Sequence, residues 1–398
     1  MIPAEAAVMQ GTKSADFIVI GSGVVGSSIA FHLMKRRAGR VLVLDKNMAA
    51  QGGSGRSSAL IRMHYTLPEE VQLAVRSYEI FANWQDYVGR PGHLKKTGFA
   101  QIVPENEIEL LEKNVEMQRN LGANTRIVSS RELNEIEPDW RLDDVSVAAY
   151  EPESGYGDGS LTASDFLERA REMGTEFLPR TRVTAFHVEG GRVRGVATDK
   201  GDFESPTVIS ATGPWSAPLF RAAGFDLPVE SELHRVAILK NPPGMKRGGS
   251  ALCDAACLVY LRSEGDDMTL VGEYTGESGF DPDDFPQSVE HEGLAEIALL
   301  GARRIPALEN SGVVRGVTGI YDVSPDFRPL LGSTPGVEGL YMACGFSGMG
   351  YKISPAVGLA MTELIVDGRS KAVDLSIFDP GRFAAGALIS PAHEYADG

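Results

Sequence analysis

Apolar residues near the start of the chain fall into two short, uninterrupted runs separated by a longer segment. Phe17–Ile20 and Val41–Leu44 are apolar throughout, which is typical of strands buried on both faces of a parallel sheet. The segment between them has the period of an amphipathic helix up to about Arg37, and Gly39 predicts its end. The pattern therefore predicts a strand, a helix and a second strand within about 30 residues.

Helical periodicity returns at several points further along the chain. Predicted helices cover Pro68–Tyr87, Glu105–Leu121, Asp165–Met173 and Ser354–Val366. Ser129 and Glu132 have the spacing of a capping box, which predicts another helix start. Ser354 followed by Pro355 predicts an N-cap and a first helical residue.

Strand patterns occupy much of the remaining chain. Val208–Ala211 and Leu340–Ala343 are short apolar runs that predict buried strands, and a hairpin is predicted around the sequence EGGRV. Glu230–Thr275 alternates apolar and polar residues, as half-buried antiparallel strands do. The chain therefore combines an α/β part with an α+β part that contains an antiparallel sheet.

Three glycines follow the first predicted strand and open the first helix. Gly21 permits a tight turn, Gly23 lets the backbone approach a pyrophosphate, and Gly26 lets the helix pack on the strand. Asp45, at the end of the second strand, has the spacing of an acid that binds ribose hydroxyls and disfavours a 2′-phosphate. This arrangement predicts a dinucleotide site but does not choose between NAD and FAD.

Two further glycine-rich segments favour FAD. Gln51–Tyr65 is a glycine- and serine-rich loop with apolar anchors, suited to binding phosphates and a ribityl chain through backbone N–H groups. Gly345–Gly350 predicts a turn before the last helix, whose N-terminus would stabilise the negative charge of a reduced flavin. The alternative for the first segment is a flexible surface loop.

Composition restricts the partners. The net charge of −16 argues against nucleic acid and against an anionic membrane surface. No apolar run is long enough to span a bilayer, and the N-terminal segment lacks the features of a secretory signal. Cys253, Cys257 and Cys344 form neither a disulfide framework nor a zinc motif, so we expect no metal and a reducing, cytoplasmic location.

Four stretches together resemble the D-amino-acid oxidase superfamily of FAD enzymes. They are the glycine motif, GRSSALIRMHY, VISATGPWS (Val208–Ser216) and GFSGMGYK (Gly345–Lys352). Within the superfamily, the chain is similar to the branch of sarcosine oxidases, sarcosine and dimethylglycine dehydrogenases, glycine oxidase and the L-proline dehydrogenase β-subunit. The resemblance extends from about Ala15 to about Phe378.

The resemblance implies a Rossmann-type FAD-binding domain interleaved with an antiparallel-sheet substrate domain. The FAD-binding domain would comprise residues 15–95, 155–225 and 315–385, the substrate domain residues 96–154 and 226–314, and residues 1–14 a flexible lead-in. The implied cofactor residues are Gly21, Gly23, Val24, Val25, Gly26, Asp45, Lys46, Gly53, Ser54, Gly55, Arg56, Ser57, Ser58, Val183, Ala211, Thr212, Gly213, Trp215, Gly345, Phe346, Ser347, Gly348, Met349, Gly350, Tyr351 and Lys352.

The resemblance also implies a substrate that carries an amine and a carboxylate. Arg62 and Lys352 occupy the positions that bind the carboxylate. Tyr260, Tyr274 and Tyr321 align with pocket walls, although core packing explains each equally well. His64 could face the flavin, but a packing role is the stronger interpretation.

The implied reaction is oxidation of a small secondary or N-methylated amino acid, of the sarcosine, dimethylglycine or proline type. Hydride transfer to flavin N5 would give an imine that water hydrolyses. The alternatives are an FAD-binding subunit of a hetero-oligomeric dehydrogenase and a flavoprotein with mainly an assembly role. Homo-oligomerisation also stays open.

Two departures from the family pattern shape these expectations. The position of the cysteine that tethers FAD in monomeric sarcosine oxidases corresponds to about Gly319 or Ile320, so we expect non-covalent FAD. The position of the lysine that activates oxygen corresponds to about Leu270. This loss favours a dehydrogenase with an electron carrier over an oxidase that uses oxygen.

Overall fold

The computed structural model describes residues 13–245 and 249–395. Most of the predicted N-terminal lead-in therefore lies outside the described residues. The strands are β1 Phe17–Ile20, β2 Val41–Leu44, β3 Leu60–Ile61, β4 Lys95–Lys96, β5 Phe99–Ile102, β6 Arg126–Ser129, β7 Val147–Glu151, β8 Gly155–Tyr156, β9 Glu176–Leu178, β10 Val183–Glu189, β11 Arg192–Thr198, β12 Gly201–Glu204, β13 Val208–Ser210, β14 Glu230–Lys240, β15 Ala251–Asp254, β16 Val259–Glu264, β17 Met268–Glu273, β18 Glu277–Ser278, β19 Gly312–Val323, β20 Leu330–Ser333 and β21 Leu340–Cys344.

Helices connect these strands and cover the sheets. They are α1 Val24–Lys35, α2 Pro68–Ala82, α3 Trp84–Val88, α4 Ile108–Asn120, α5 Ser130–Ile136, α6 Gly159–Glu172, α7 Ser216–Ala222, α8 His291–Arg304 and α9 Gly350–Asp367. Within the described residues, none of these helices combines the length and the apolar character needed to cross a membrane.

A six-stranded sheet carries the glycine motif, in the order β20-β21-β13-β1-β2-β9. Strand β1 pairs in parallel with β2 and β13, as the two apolar runs predicted, and only the edge pair β20–β21 in this sheet is antiparallel. The carboxyl ends of β1, β2 and β13 therefore meet at one edge, where ligands bind in open α/β sheets.

Side chains of this sheet alternate between two cores. Val19 and Val43 face a layer that includes α1, α6 and α9, while Ile18 and Leu42 face the three-stranded sheet β10-β11-β12 and α7. Because both faces are covered, every residue of β2 is buried.

The first helix differs from its predicted form in two ways. Residues Val24–Leu33 are all buried, because α1 packs against both α6 and α9, so the helix has no solvent face over this length. It ends at Lys35, and the left-handed residue that follows is Arg37, with φ 54°, two residues before the predicted stop at Gly39.

A nine-stranded sheet forms the other half of the molecule. Its order is β18-β14-β17-β16-β15-β5-β7-β6, with β19 paired to β14. The pairing is antiparallel except between β5 and β15, which are parallel. Its outer face packs against α8, and its inner face turns toward β3 and places Phe99, Cys253 and Leu270 in a small cluster with Leu60.

One predicted helix start is confirmed and another lies earlier in the chain than predicted. The capping box is confirmed, because the Ser129 and Glu132 side chains each bond the backbone N–H of the other. Helix α6 begins six residues before the predicted Asp165, with Asp158 as its cap. The Asp158 side chain accepts a hydrogen bond from Leu161 N at 2.8 Å, a local cap that the sequence pattern did not single out.

The last helix begins at Gly350, so the predicted start at Ser354 is wrong. Pro355 lies inside α9 and cannot donate the usual hydrogen bond to the carbonyl of Tyr351. The Ser354 hydroxyl donates to that carbonyl at 2.8 Å instead, which satisfies the group that proline leaves unpaired. The helix therefore continues toward its N-terminus into the glycine-rich turn.

Candidate active site and cofactor cleft

A cleft of about 1000 Å³ lies at the carboxyl edge of the six-stranded sheet. One end contains Asp45 and Val183, and the other contains Phe346, Gly350 and Tyr351. Its volume is at the upper end of the range for small-molecule pockets, about 300–1000 Å³. The N-termini of α1 and α9 both border it, so two positive helix ends meet one elongated cavity.

The glycine motif is required by close backbone contacts. Gly21 has φ 101°, and a Cβ there would stand 2.4 Å from the carbonyl oxygen of Ala211. A Cβ at Gly26 would stand 2.0 Å from the carbonyl oxygen of Gly21, so the helix could not pack on its turn. These contacts hold the start of α1 at the cleft.

Ser54 links the glycine-rich loop to the start of α1. Its hydroxyl accepts a hydrogen bond from Val24 N at 3.0 Å. The hydroxyl therefore stands at the helix end, where an anion is stabilised by free N–H groups and the helix dipole. From the predicted loop Gln51–Tyr65, the residues Gly52, Gly53, Ser54 and Ser57 line the cleft, and phosphate binding by this loop stays a prediction.

Asp45 organises the turn as well as lining the cleft. Its Oδ2 accepts hydrogen bonds from the backbone N–H and the hydroxyl of Ser22, both at 2.7 Å. Its Oδ1 accepts one from Asn47 N at 2.8 Å. The carboxylate is therefore fixed at the end of β2, with its remaining acceptor capacity available to a ligand.

We expect Asp45→Ala to weaken FAD binding by about 1.5–3 kcal/mol, the range for a charged hydrogen bond, or roughly 10- to 150-fold. The dissociation constant can be measured by titrating apoprotein with FAD and following flavin fluorescence. Asp16→Ala is the matched control, because Asp16 also binds a loop N–H, that of Arg40, but lies outside the cleft lining. Equal FAD affinity in the two variants would exclude Asp45 from ribose binding.

Asp322 holds the glycine-rich turn before α9 through two hydrogen bonds. Its Oδ2 accepts a hydrogen bond from Gly345 N at 2.6 Å, and its backbone carbonyl accepts one from Ser347 N at 2.8 Å. Burial raises the pKa of Asp322 to about 6. Since the first N–H groups of the turn are occupied in this way, the first turn of α9 supplies the free donors that face the cleft.

Most of the predicted cofactor residues line this cleft. They are Gly21, Gly23, Val24, Val25, Asp45, Lys46, Gly53, Ser54, Ser57, Val183, Ala211, Thr212, Gly213, Trp215, Phe346, Gly348, Gly350 and Tyr351. The predicted cofactor residues outside its lining are Gly26, Gly55, Arg56, Ser58, Gly345, Ser347, Met349 and Lys352. Two of these have other contacts: Arg56 donates to the carbonyl of Thr318, and the carbonyl of Ser58 accepts from Arg262.

The segment 279–283 borders the cleft and was not predicted from the sequence. The Asp283 carboxylate accepts hydrogen bonds from Arg182 and from the indole of Trp215, both at 2.9 Å, and from Lys46. Burial acts in the opposite direction, but these hydrogen bonds hold the pKa of Asp283 below its usual range. The donors come from three separate segments, so no local pattern could reveal this contact.

Arg62 and Lys352 are brought together beside the α9 end of the cleft. Arg62 directly follows β3, and Lys352 lies in the first turn of α9, which packs against β3. Burial and the nearby charge of Arg62 lower the pKa of Lys352 to about 7. The Lys352 ammonium donates to the carbonyl of Gly348 at 3.3 Å, and only 8% of the residue is exposed.

Neither cation forms a salt bridge within the part of the chain that the structure describes, although the buried carboxyl groups of Glu151 and Glu70 act on Arg62 and Lys352, respectively, over a longer distance. Arg62 instead lies over the ring of Tyr65, with its guanidinium carbon 4.5 Å from the ring centroid, and donates to the carbonyl of His64. Its Nε has no hydrogen-bond partner. An unpaired, buried pair of cations is costly unless an anion binds there.

The inner face of the nine-stranded sheet lies beside the two cations, and we call it the opposite wall of the candidate substrate site. Cys253, Tyr260, Leu270 and Tyr274 belong to the apolar cluster on this face. Burial raises the pKa of Cys253, although the charges of Arg62 and Lys352 act against this shift. The thiol therefore remains neutral, and it is a neighbour of both cations that the sequence pattern missed.

The hydroxyl groups of Tyr260 and Tyr321 lie close enough for each to affect the pKa of the other. Burial raises the pKa of both residues, so both hydroxyls keep their protons near neutral pH. A Cβ on Gly348 would stand 2.6 Å from the ring of Tyr321, which therefore lies directly against the glycine-rich turn. Burial raises the pKa of Tyr274 to about 12, and its neighbours include Arg62.

His64 lies on the side of the arginine loop away from the cleft. Its Nε2 is 2.9 Å from the hydroxyl of Tyr395, and it is 2% exposed. Burial and the charge of Arg62 lower its pKa to about 3, so the imidazole is neutral at physiological pH. No group of three or more His, Cys, Asp and Glu side chains within the described ranges is arranged to hold a metal ion.

The cleft fits a bound dinucleotide such as FAD. It combines a glycine turn, an acid at the end of β2, two helix N-termini and a large elongated volume. The buried cations and the apolar sheet face border its α9 end. The fold and the cleft together define a protein of the open α/β class that binds a nucleotide at the carboxyl edge of its sheet.

Comparisons with known proteins agree with this class. The family model described as "FAD dependent oxidoreductase" (DAO) matches residues 16–364. The chain is 28% identical over 421 residues to mouse (Mus musculus) "FAD-dependent oxidoreductase domain-containing protein 1", covering 95% of this chain and 86% of that protein. It is 24% identical over 385 residues to "Sarcosine oxidase subunit beta" of Arthrobacter sp, covering 95% of this chain and 93% of that protein.

Among solved structures, the crystal structure of L-proline dehydrogenase from P. horikoshii matches with a TM-score of 0.88 and 28% identity. The match covers 95% of this chain and 100% of that chain. The protein therefore belongs to the DAO family of FAD-dependent oxidoreductases. The predicted combination of a Rossmann-type domain with a sheet-based substrate domain is confirmed at the level of the fold.

Proposed function

We propose that this protein oxidises a small secondary or N-methylated amino acid. The observation that carries the proposal is the pair Arg62 and Lys352, buried together beside the cleft and not paired with carboxylates of the described residues. A substrate carboxylate would supply the missing anion, and charge-assisted hydrogen bonds of this kind are strong in a desolvated site. Relatives that act on sarcosine or proline, by their names, support the same substrate class.

The opposite wall favours a substrate with a small, uncharged side chain or ring. Phe99, Cys253 and Leu270 are apolar or neutral, and the tyrosines beside them keep their protons. A second charged group on the substrate would lose its hydration against this wall without gaining a partner. A methyl group or a pyrrolidine ring would instead gain apolar burial.

The chain's own residues would bind, orient and shield the substrate. Arg62 offers a planar fork of donors to the carboxylate, and Lys352 offers a point charge from the start of α9. The hydroxyl pair of Tyr260 and Tyr321 lies between the sheet face and the glycine-rich turn, where it can hold the neutral amine in place. FAD, when bound, supplies the two-electron oxidation that converts the amine to an imine, which water then hydrolyses.

An anaerobic substrate screen tests this proposal. Purified holoprotein would be mixed with sarcosine, dimethylglycine, proline and glycine, and loss of the visible flavin absorbance would be followed. We expect bleaching with one or more of the secondary or N-methylated amino acids and little with glycine. Bleaching by amines that lack a carboxylate, and by no amino acid, would contradict the proposal.

We propose that FAD is held without a covalent bond. Gly319 and Ile320, at the predicted tether position, offer no nucleophile. Cys344 is fully buried in the core between the six-stranded sheet and β10-β11-β12. We therefore expect acid precipitation of the protein to leave the flavin in the supernatant. Yellow colour retained in the washed pellet would show a covalent attachment.

We expect carboxylate binding to weaken as the pH rises above about 7, the pKa of Lys352. Only the protonated ammonium attracts the anion, so affinity is highest below this pKa and falls by up to about tenfold per pH unit above it. The measurement is a titration of holoprotein with acetate, which has no amine, read from flavin absorbance at several pH values. Lys352→Arg should bind acetate with little pH dependence in this range, and a wild type that matched it would contradict the assignment.

A further inference from the structure

Residues 393–395 dock against the loop that carries Arg62. The hydroxyl of Tyr395 lies 2.9 Å from Nε2 of His64, and the two rings are stacked with centroids 6.0 Å apart and planes 4° apart. His64 is 2% exposed and Tyr395 is partly buried, so the hydrogen bond between them is largely shielded from solvent. The carbonyl of the same His64 accepts a hydrogen bond from Arg62.

Glu394 makes a second contact between the segment 393–395 and the Arg62 loop, at the residue after Tyr65. Its carboxylate accepts two hydrogen bonds from Arg328, at 2.8 and 2.7 Å, and one from the hydroxyl of Thr66 at 3.2 Å. Arg328 also lies 3.1 Å from the buried carboxylate of Glu70. Glu394 is therefore bound at Thr66, one residue after Tyr65, whose ring supports the Arg62 guanidinium.

The opposite side of the loop is held by the sheet. Glu151, at the end of β7, accepts a hydrogen bond from Met63 N at 2.9 Å. The loop from Arg62 to Thr66 is thus fixed between Glu151 and the segment 393–395. Arg62 itself forms no salt bridge among the described residues, and the groups that contact its side chain include the Tyr65 ring, the His64 carbonyl and the Phe99 ring.

We propose that Tyr395 and Glu394 are positioning residues for Arg62, so that the segment 393–395 sets the affinity for the substrate carboxylate. This inference rests on the proposed function, because it takes Arg62 to bind that carboxylate. Tyr395 and Glu394 are not among the residues that line the cleft. They act by keeping His64 and Thr66, and through them Arg62, in one arrangement.

The alternative is that the segment only adds packing, since Tyr395 also contacts the small core of Val103, Leu111 and Ala149. Such a role would lower thermal stability without changing substrate affinity. Tyr395→Phe separates the two, because it keeps the ring and its stacking but removes the hydroxyl. Glu394→Gln gives a second test of packing against positioning, because it keeps the shape of the side chain but removes its charge.

The experiment uses full-length holoprotein and measures acetate binding by flavin absorbance, together with the KM and kcat of an amino-acid substrate and the thermal midpoint. We expect Tyr395→Phe and Glu394→Gln to raise the acetate dissociation constant and KM by about three- to tenfold, as loss of one buried or charged hydrogen bond does. The expected kcat stays within about twofold, since the reacting groups are untouched. Tyr341→Phe, in a half-buried tyrosine of β21 outside the cleft lining, is the matched control and should change neither constant.

A double-mutant cycle with Arg62→Lys tests whether the effect acts through Arg62. If it does, Tyr395→Phe should raise the acetate dissociation constant by a clearly smaller factor in the Arg62→Lys background than in the wild type. If the two substitutions act independently, the factor should be the same in both backgrounds. Unchanged acetate binding in Tyr395→Phe and Glu394→Gln, with Arg62→Ala strongly impaired, would overturn this inference and leave the proposed function intact. Unchanged acetate binding in Arg62→Ala would overturn both.

Discussion

Arg62→Ala should raise the KM for the amino-acid substrate and the dissociation constant of acetate by roughly 30- to 5000-fold, which corresponds to about 2–5 kcal/mol of binding free energy. The reason is that Arg62 is buried and bears a planar fork of donors near Lys352. Removing it takes away one partner of a buried, charge-assisted contact. The flavin content should be unchanged, because Arg62 lies outside the cleft lining.

The control is Arg36→Ala, which removes an exposed arginine whose partner is Asp367. It should leave KM, acetate binding and flavin content at their wild-type values, as exposed ion pairs contribute little. Arg62→Lys should fall between wild type and Arg62→Ala, since it keeps the charge but loses the fork. Wild-type kinetics in Arg62→Ala would remove carboxylate-bearing amines from the proposed substrates.

Local patterns predicted the elements that build the nucleotide cleft. The strands β1 and β2 have the predicted bounds, because short apolar runs buried on two faces leave little freedom in length or register. The capping box at Ser129 was predictable for a similar reason, since both partners lie within four residues. In each case, residues close together in the sequence both produce the pattern and determine the local structure.

Boundaries were less predictable where a side chain replaces a backbone hydrogen bond. Pro355 usually marks the first turn of a helix, and this preference placed the start of α9 four residues too late. The Ser354 hydroxyl satisfies the Tyr351 carbonyl, so the helix reaches Gly350 and brings Lys352 into its first turn. A periodicity argument cannot distinguish an N-cap serine from a serine that compensates for proline.

Contacts between distant segments were the least predictable part of the site. Arg62 and Lys352 could be paired only through the resemblance, whereas nothing indicated that Cys253 would lie beside them. Asp283 at the cleft and Tyr395 behind His64 likewise depend on how two halves of the chain pack. Such contacts are set by tertiary geometry, for which a single sequence carries no periodic signal.

We propose that the choice of electron acceptor depends on charge near the inner face of the nine-stranded sheet. Reaction with oxygen passes through transfer of one electron, and a nearby cation lowers that barrier by stabilising the negative charge that develops. Leu270 is 5% exposed and lies on the inner face with Tyr260 and Cys253. His64, with a pKa of about 3, stays neutral, and a bound carboxylate would offset the charge of Lys352.

We therefore expect substrate-reduced wild-type protein to reoxidise slowly in air and quickly with an artificial acceptor dye. Leu270→Lys should raise the rate of reoxidation in air by roughly a hundredfold, which corresponds to about 3 kcal/mol of barrier. Stopped-flow absorbance of the flavin measures both rates. The lysine must enter an apolar cluster, so flavin content and the thermal midpoint are measured first to select folded holoprotein.

Leu270→Met is the matched control, because methionine is unbranched and of similar length to lysine but carries no charge. It should reoxidise at the wild-type rate, so that any gain in Leu270→Lys reports the cation and not a change of shape. Equal rates for folded Leu270→Lys and Leu270→Met would show that residue 270 does not control the reaction with oxygen. A wild-type rate in air that matched or exceeded the dye rate would make the protein an oxidase, and would mean that another group stabilises the developing charge.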